Sequence, residues 1–269
     1  MRTARRFHAI FFSLLFALPC FSQQTSANPA PTAQRDAEAI AVLSQILHGA
    51  GGIQAISAVQ DVSASGTVSY NWGNDPVQGT VTIKGRGANQ FRIDASLPEG
   101  TRTWAVNHGR RFEKEPDGTV KLLRYLDPAS FQNILFPWAH LVAAWNGGSL
   151  SYLGLENRNG ESVHHISVTG ASRSGFDATE DAKKAHTIDL FVDSKTGQVQ
   201  SVISVAYSTD FPIRTCAREI AYSDFRPISG VVVPFSITES VCGQQTMTIQ
   251  LGEITFNNNL NDSDFQTQD

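Results

Sequence analysis

From Phe91 to Leu97 apolar and polar residues alternate without a break: Phe91, Ile93, Ala95 and Leu97 fall on one side, Arg92, Asp94 and Ser96 on the other. A period of two is the signature of a strand with one face buried. The same rhythm runs through VQGTVTIKG, TRTWAVN, SLSYLGLEN, SVHHISV, HTIDLFVD and VQSVISVAYS, and through both arms of FRPISGVVVPFSI. Glycine-containing turns separate these runs, at Glu115 to Gly118, Arg158 to Gly160 and Ser194 to Gly197. Hairpins in such a series predict a meandering antiparallel sheet of about ten strands, long enough that its twist must curl it.

Helical spacing occurs in two places. Residues 34–48 carry Ile40, Leu43 and Leu47 on one stripe, with Gly49 as the stop, and a shorter helical turn is expected over residues 53–59 after Gly51-Gly52. Asp127 to Gly148 opens with a capping aspartate and a proline in first position, then places Phe131, Ile134, Leu135, Trp138, Leu141, Val142 and Trp145 on a nearly all-apolar helix, broken or kinked at Pro137. A segment this greasy must bury itself against something. Residues 171–184, small and charged, read as a surface excursion.

Composition adds a compartment. Arg2, Arg5 and Arg6, the apolar run Ala9 to Leu18 and the break at Pro19 to Ser22 predict a signal peptide over residues 1–22, followed by a linker over 23–33 and one domain over 34–269. Ala17-Leu18-Pro19 departs from the pattern that precedes a lipid-bearing cysteine, so cleavage is expected in preference to anchoring through Cys20. Without the three leader arginines, 18 of the 21 Lys and Arg remain against 25 Asp and Glu. That balance argues against nucleic acid and against electrostatic docking on anionic lipid.

An oxidising compartment suits Cys216 and Cys242. The midpoint between them is Ser229, in Pro227-Ile228-Ser229-Gly230, so a hairpin turning there brings the two cysteines opposite one another. In the chain-entropy account the bridge contributes about 3.5 kcal/mol. The same register sets Glu219 against Glu239, which calls for a nearby cation or a bulge.

Catalytic signatures are missing: the chain has no His-Glu-x-x-His, no Walker loop and no dinucleotide fingerprint, and GASRSG departs from a nucleophile elbow at Ser174. Adjacent His164 and His165 point to opposite faces of a strand and cannot chelate one ion together, although His186 could join one of them across strands. NDSD at residues 261–264 lacks calcium-loop spacing. No catalytic residue, metal or cofactor is expected.

The layout of leader, N-terminal helix ending at a glycine pair, strand meander, apolar insert and closing residues Gly230, Pro234, Ile249, Phe256, Asn257 and Asp264-Phe265 resembles the LolA/LolB-like superfamily of periplasmic lipoprotein and lipid carriers. The resemblance implies a mainly β fold with helices, in which a strongly curved antiparallel sheet forms an incomplete β-barrel with an N-terminal helix and a helical lid over residues 127–148. It implies a periplasmic or secreted, non-enzymatic carrier of lipid or lipoprotein acyl chains. Phe91, Ile93, Trp104, Val106, Phe131, Leu135, Trp138 and Trp145 would line the ligand site. Two alternatives stay open: a sensor or adaptor of the same fold that binds an envelope protein, and a secreted hydrolase using His164 or His186 with Asp189. The chain departs from typical carriers in its length, its cysteine pair and the insert at 171–184.

Overall fold

Thirteen antiparallel strands form one sheet in the computed structural model, which describes residues 35–71, 73, 75–87, 89–108, 110–122, 134–137, 149–169, 187–207 and 215–266. Six strands come first: β1 (Asp61–Tyr70), β2 (Val77–Arg86), β3 (Gln90–Leu97), β4 (Gly100–Asn107), β5 (Arg110–Lys114) and β6 (Val120–Leu122). Seven follow: β7 (Ser149–Arg158), β8 (Glu161–Thr169), β9 (Thr187–Asp193), β10 (Val199–Tyr207), β11 (Thr215–Ile228), β12 (Val231–Val241) and β13 (Gln244–Phe256). Their spatial order, β6-β5-β4-β3-β2-β1-β13-β12-β11-β10-β9-β8-β7, is two meanders joined where β13 pairs with β1. The sheet is curved and does not close. The connection from β6 to β7 therefore joins its two free edges.

The expected alternation holds in β2 to β4 and β7 to β12. The sequence reading missed β5 and β6, which are short and rich in exposed or charged residues, and β1 and β13. In β1 the inward positions Val62, Ala64, Gly66 and Val68 are small, and Gly66 lies so close to β13 that a Cβ would sit 2.1 Å from the Gln250 carbonyl oxygen.

The helix α1 (Ala37–Gly49) starts later than expected because Arg35 and Asp36 are tied to the edge strand: Asp36 N donates to Leu150 O (3.1 Å) and its carboxylate accepts from Tyr152 N (3.0 Å). Its buried stripe is Ala39, Val42, Leu43 and Ile46, whereas Ile40 is 36 % exposed. The stripe is thus rotated from the one read in the sequence, since the tether at Asp36 fixes which side meets the sheet. The far end of α1 is held by two close backbone approaches. A Cβ on Gly49 would meet Thr196 O at 2.4 Å, and one on Gly51, whose φ is +108°, would meet Gly230 O at 2.0 Å. A five-residue helix, α2 (Ile53–Ser57), leads into β1.

The disulfide between Cys216 and Cys242 is present, with Cα atoms 5.2 Å apart, but the register behind it differs from the expected one by one residue. Pairs run from Arg218 with Val241 to Ile228 with Val231, so the turn is centred between Ser229 and Gly230, both with positive φ. A two-residue turn with two left-handed positions suits the strand twist. Cys242 therefore lies just beyond β12, where its N–H bonds Ala217 O (2.9 Å), and is diagonal to Cys216. Glu219 faces Ser240 and Glu239 faces Ile220, which removes the expected clash and puts the two carboxylates on opposite faces. Each has its own arginine: Arg158 for Glu219 (3.0 Å) and Arg218 for Glu239.

On the convex face of β2 to β4, a 3-10 turn (Asp262–Phe265) buries Phe265 completely under Arg86. Lys84 pairs with Asp264 (2.7 Å), Arg86 with Asp262, and Arg92 Nη1 donates to Gln266 O (2.6 Å). The leader and linker, and the insert at 171–184, lie outside the described residues. Among those described, no helix is long and apolar enough to cross a membrane.

Candidate functional site

Strand pairing shows what the concave face is made of. One row crosses eight strands through Tyr70, Met247, Glu239, Ile220, Val202, Leu190, Ile166 and Tyr152. A second passes through Ala64, Ile83, Ile93, Trp104, Glu113 and Lys121. Most of these side chains join a single apolar core that also contains the inner stripe of α1. Burying one such aliphatic side chain contributes about 1.5–3 kcal/mol, which explains why the sheet curls over this face.

Of the expected lining residues, the structure places Phe91, Ile93, Val106 and Leu135 in that core, with Trp104 half-buried against it. Phe91 stands opposite Val106 and Ile93 opposite Trp104. Phe131, Trp138 and Trp145 lie outside the described residues. Of the segment expected as a helical lid, residues 134–137 are described, and they form a turn. Ile134, Leu135 and Pro137 are buried, and the Phe136 ring meets Phe256 at 6.2 Å. Pro137 also borders a narrow gap beside Ile46, Val199, Phe225 and Val232. The connection between the sheet's edges thus dips into the concavity beside the end of α1.

Sequence reasoning missed a polar arc across this apolar surface. Arg218, opposite Ser204, pairs with Glu239, whose Oε2 accepts from Thr246 Oγ1 (3.0 Å); the arginine and glutamate side chains are 8 % and 13 % exposed. The Tyr70 ring lies 6.0 Å from that of Trp104, whose Nε1 donates to Glu113 (3.1 Å). Arg102 pairs with Glu115 (2.8 Å) and Glu113 (3.5 Å). Burial, reinforced by the Glu239 charge and opposed by Arg102, holds the Tyr70 phenol well above its usual range. Burial does the same for Tyr222, with Arg218 acting in the other direction. The signal that could have found the arc is the alternation Arg218, Ile220, Tyr222, which puts an arginine on an inward position.

The residues of the hydrolase alternative are distributed otherwise than expected. His165 meets Asp189 (Nε2 to Oδ1, 3.6 Å) and Glu156 (Nδ1 to Oε1, 2.7 Å), on the convex face where it stacks on Phe191 at 4.3 Å. His164 faces inward and bonds Tyr152 Oη (3.0 Å). His186 lies outside the described residues. Among the described residues no group of three His, Cys, Asp or Glu could hold a metal ion.

A curled open sheet with an apolar concave face, an N-terminal helix packed on it and an edge-to-edge strap entering it defines a LolA-like half-barrel. Structural comparison finds the same fold at low sequence identity. A LolA superfamily protein from Nitrosomonas europaea aligns with a TM-score of 0.54 at 12% identity, over 82% of this chain and 96% of that one. A putative outer membrane lipoprotein-sorting protein domain from Vibrio parahaemolyticus gives 0.50 at 9%, over 76% and 88%. A DUF1329 family protein from Desulfovibrio piger gives 0.51 at 12%, over 85% and 97%. No family profile and no curated protein matches the sequence.

Proposed function

We propose that the protein carries lipid or lipoprotein acyl chains in the concavity of its half-barrel, outside the cytoplasm, after removal of residues 1–22 as a signal peptide. The observation that carries this reading is the burial of Ile134, Leu135 and Pro137, which belong to the connection between the sheet's two edges. An open sheet with an apolar concave face needs a cover, and the one connection that spans its two edges supplies Ile134, Leu135 and Pro137 to that face. Such a cover can be exchanged for ligand without breaking the sheet. Phe91, Ile93, Trp104, Val106 and Leu135, together with Phe131, Trp138 and Trp145, form the proposed lining.

The energetics favour a protein escort for such cargo. At about 0.8 kcal/mol per CH₂, a 16-carbon chain crossing water alone costs on the order of 12 kcal/mol. A dry concavity removes most of that cost. The lipoprotein-sorting description of the Vibrio domain agrees with this reading. Native mass spectrometry of the full chain purified from an envelope-bearing host tests it: acyl species that co-purify and leave on organic extraction support carriage. A homogeneous apo mass, with no uptake of added palmitoyl lipid, contradicts it.

A further inference from the structure

Charged groups on the apolar inner face of a carrier are costly to bury, and a buried polar atom without a partner is costlier still. The Tyr222 hydroxyl is such an atom. The residue is 5 % exposed, it stands opposite Ile237 within the core, and its Oη has no hydrogen-bond partner among the described residues. A buried phenol left without a partner is a natural contact for a bound polar group.

Its surroundings indicate what kind of occupant. Below it lie Ile237, Ile249 and Val68, opposite one another in successive strands and all buried. Along β11 lies Arg218, the charged group that acts on the phenol, already paired with Glu239. Among the described residues the ion pairs of the arc are Arg102 with Glu113 and Glu115, Lys121 with Glu115, and Arg218 with Glu239. A net anion entering here meets the Glu239 carboxylate, whereas a neutral or zwitterionic group brings no net charge to a site where arginine and carboxylate are already paired. The disulfide lies two residues from Arg218, at Cys216, and holds this end of β11 to the β12–β13 turn.

We propose that the arc centred on Tyr222, Arg218 and Glu239 is a head-group site, at which Tyr222 Oη hydrogen-bonds the uncharged or zwitterionic head of a diacyl amphiphile whose chains occupy the apolar face. This rests on the carrier reading and adds to it the chemistry of the head. Discrimination by one hydrogen bond to a buried, otherwise unpaired group is large enough to measure, about tenfold in affinity.

The test uses three probes on the mature chain and on Tyr222→Phe: diphenylhexatriene, which has no head, and pyrene-labelled phosphatidylethanolamine and phosphatidylglycerol. The expected result is that wild type prefers the zwitterionic lipid to the anionic one. Tyr222→Phe then loses about tenfold for phosphatidylethanolamine, keeps its affinity for diphenylhexatriene, and melts no lower than wild type, because it sheds an unsatisfied hydroxyl. Equal affinity for the two lipids, an unchanged phosphatidylethanolamine affinity in the variant, or a parallel loss of all three probes with a lowered melting point overturns the head-group site while leaving carriage standing. Failure of the wild type to bind even diphenylhexatriene overturns carriage, and the head-group site with it.

Discussion

The two halves of the sheet are held by different elements on opposite faces. Strands β7 to β12 receive α1 on the inside, clamped at Asp36 to the edge strand and at Gly49 and Gly51 to the β9–β10 and β11–β12 turns. Strands β2 to β4 are clasped from outside by the C-terminal turn, with Phe265 beneath it, and their inner residues Ile83, Phe91, Ile93 and Val106 join the core. In the first half a helix holds the inner face through the Asp36 tether and the close backbone approaches at Gly49 and Gly51. In the second half the C-terminal turn packs against β3 and β4 from behind the sheet. The proposed acyl-chain lining lies on the β1 to β4 side, and the proposed head-group site beside it on β11 and β12.

Four substitutions or conditions sharpen the contrast. Glu239→Ala removes the buried carboxylate that pairs with Arg218 in the half held by α1 and is expected to cost about 3–5 kcal/mol in denaturant unfolding. Phe265→Ala empties the outer clasp and should cost about 3–4 kcal/mol, with acyl binding retained in the folded protein. Gly51→Ala forces a side chain into the Gly230 carbonyl at a left-handed position and should cost about 2–3 kcal/mol, its damage reported by faster hydrogen exchange of α1 amides. The smallest effect is acid sensitivity of the clasp. Hydrogen bonds from Gln90 and Arg86 hold Asp262 below the usual carboxylate range, and the Asn261 N–H and Lys84 do the same for Asp264. Lowered carboxylate values contribute stability that is present above about pH 4 and lost as pH falls through the folded values. The double variant Asp262→Asn, Asp264→Asn should therefore flatten the melting temperature below about pH 4, a trend that differential scanning calorimetry reads directly.

Much of this architecture was legible because buried strands repeat with a period of two. Phe91 to Leu97 gave β3 outright, and the FRPISGVVVPFSI hairpin gave β11 and β12. A symmetric pairing of the two cysteines sets their register one residue out, because Ser229 and Gly230, which hold the turn's positive φ angles, set the true centre. Strands β5 and β6 escape because RRFEK and VKL, next to and at the sheet's edge, have too little buried surface to show an alternation. The stripe of α1 was misjudged at Ile40 because a short helix offers several plausible faces, and only the tether at Asp36 chooses among them. The polar arc was illegible for a different reason. An inward arginine reads as an outward one until its partner, 21 residues away at Glu239, is known to share its face.

Photo-crosslinking with a diazirine-bearing palmitoyl lipid, followed by peptide mapping, tests the central claim most directly. The account predicts adducts on inward residues of β2 to β4, at Ile83, Phe91, Ile93 and Val106, and on the strap at Leu135. Adducts confined to the convex face, around Phe191 or the C-terminal turn, would contradict it.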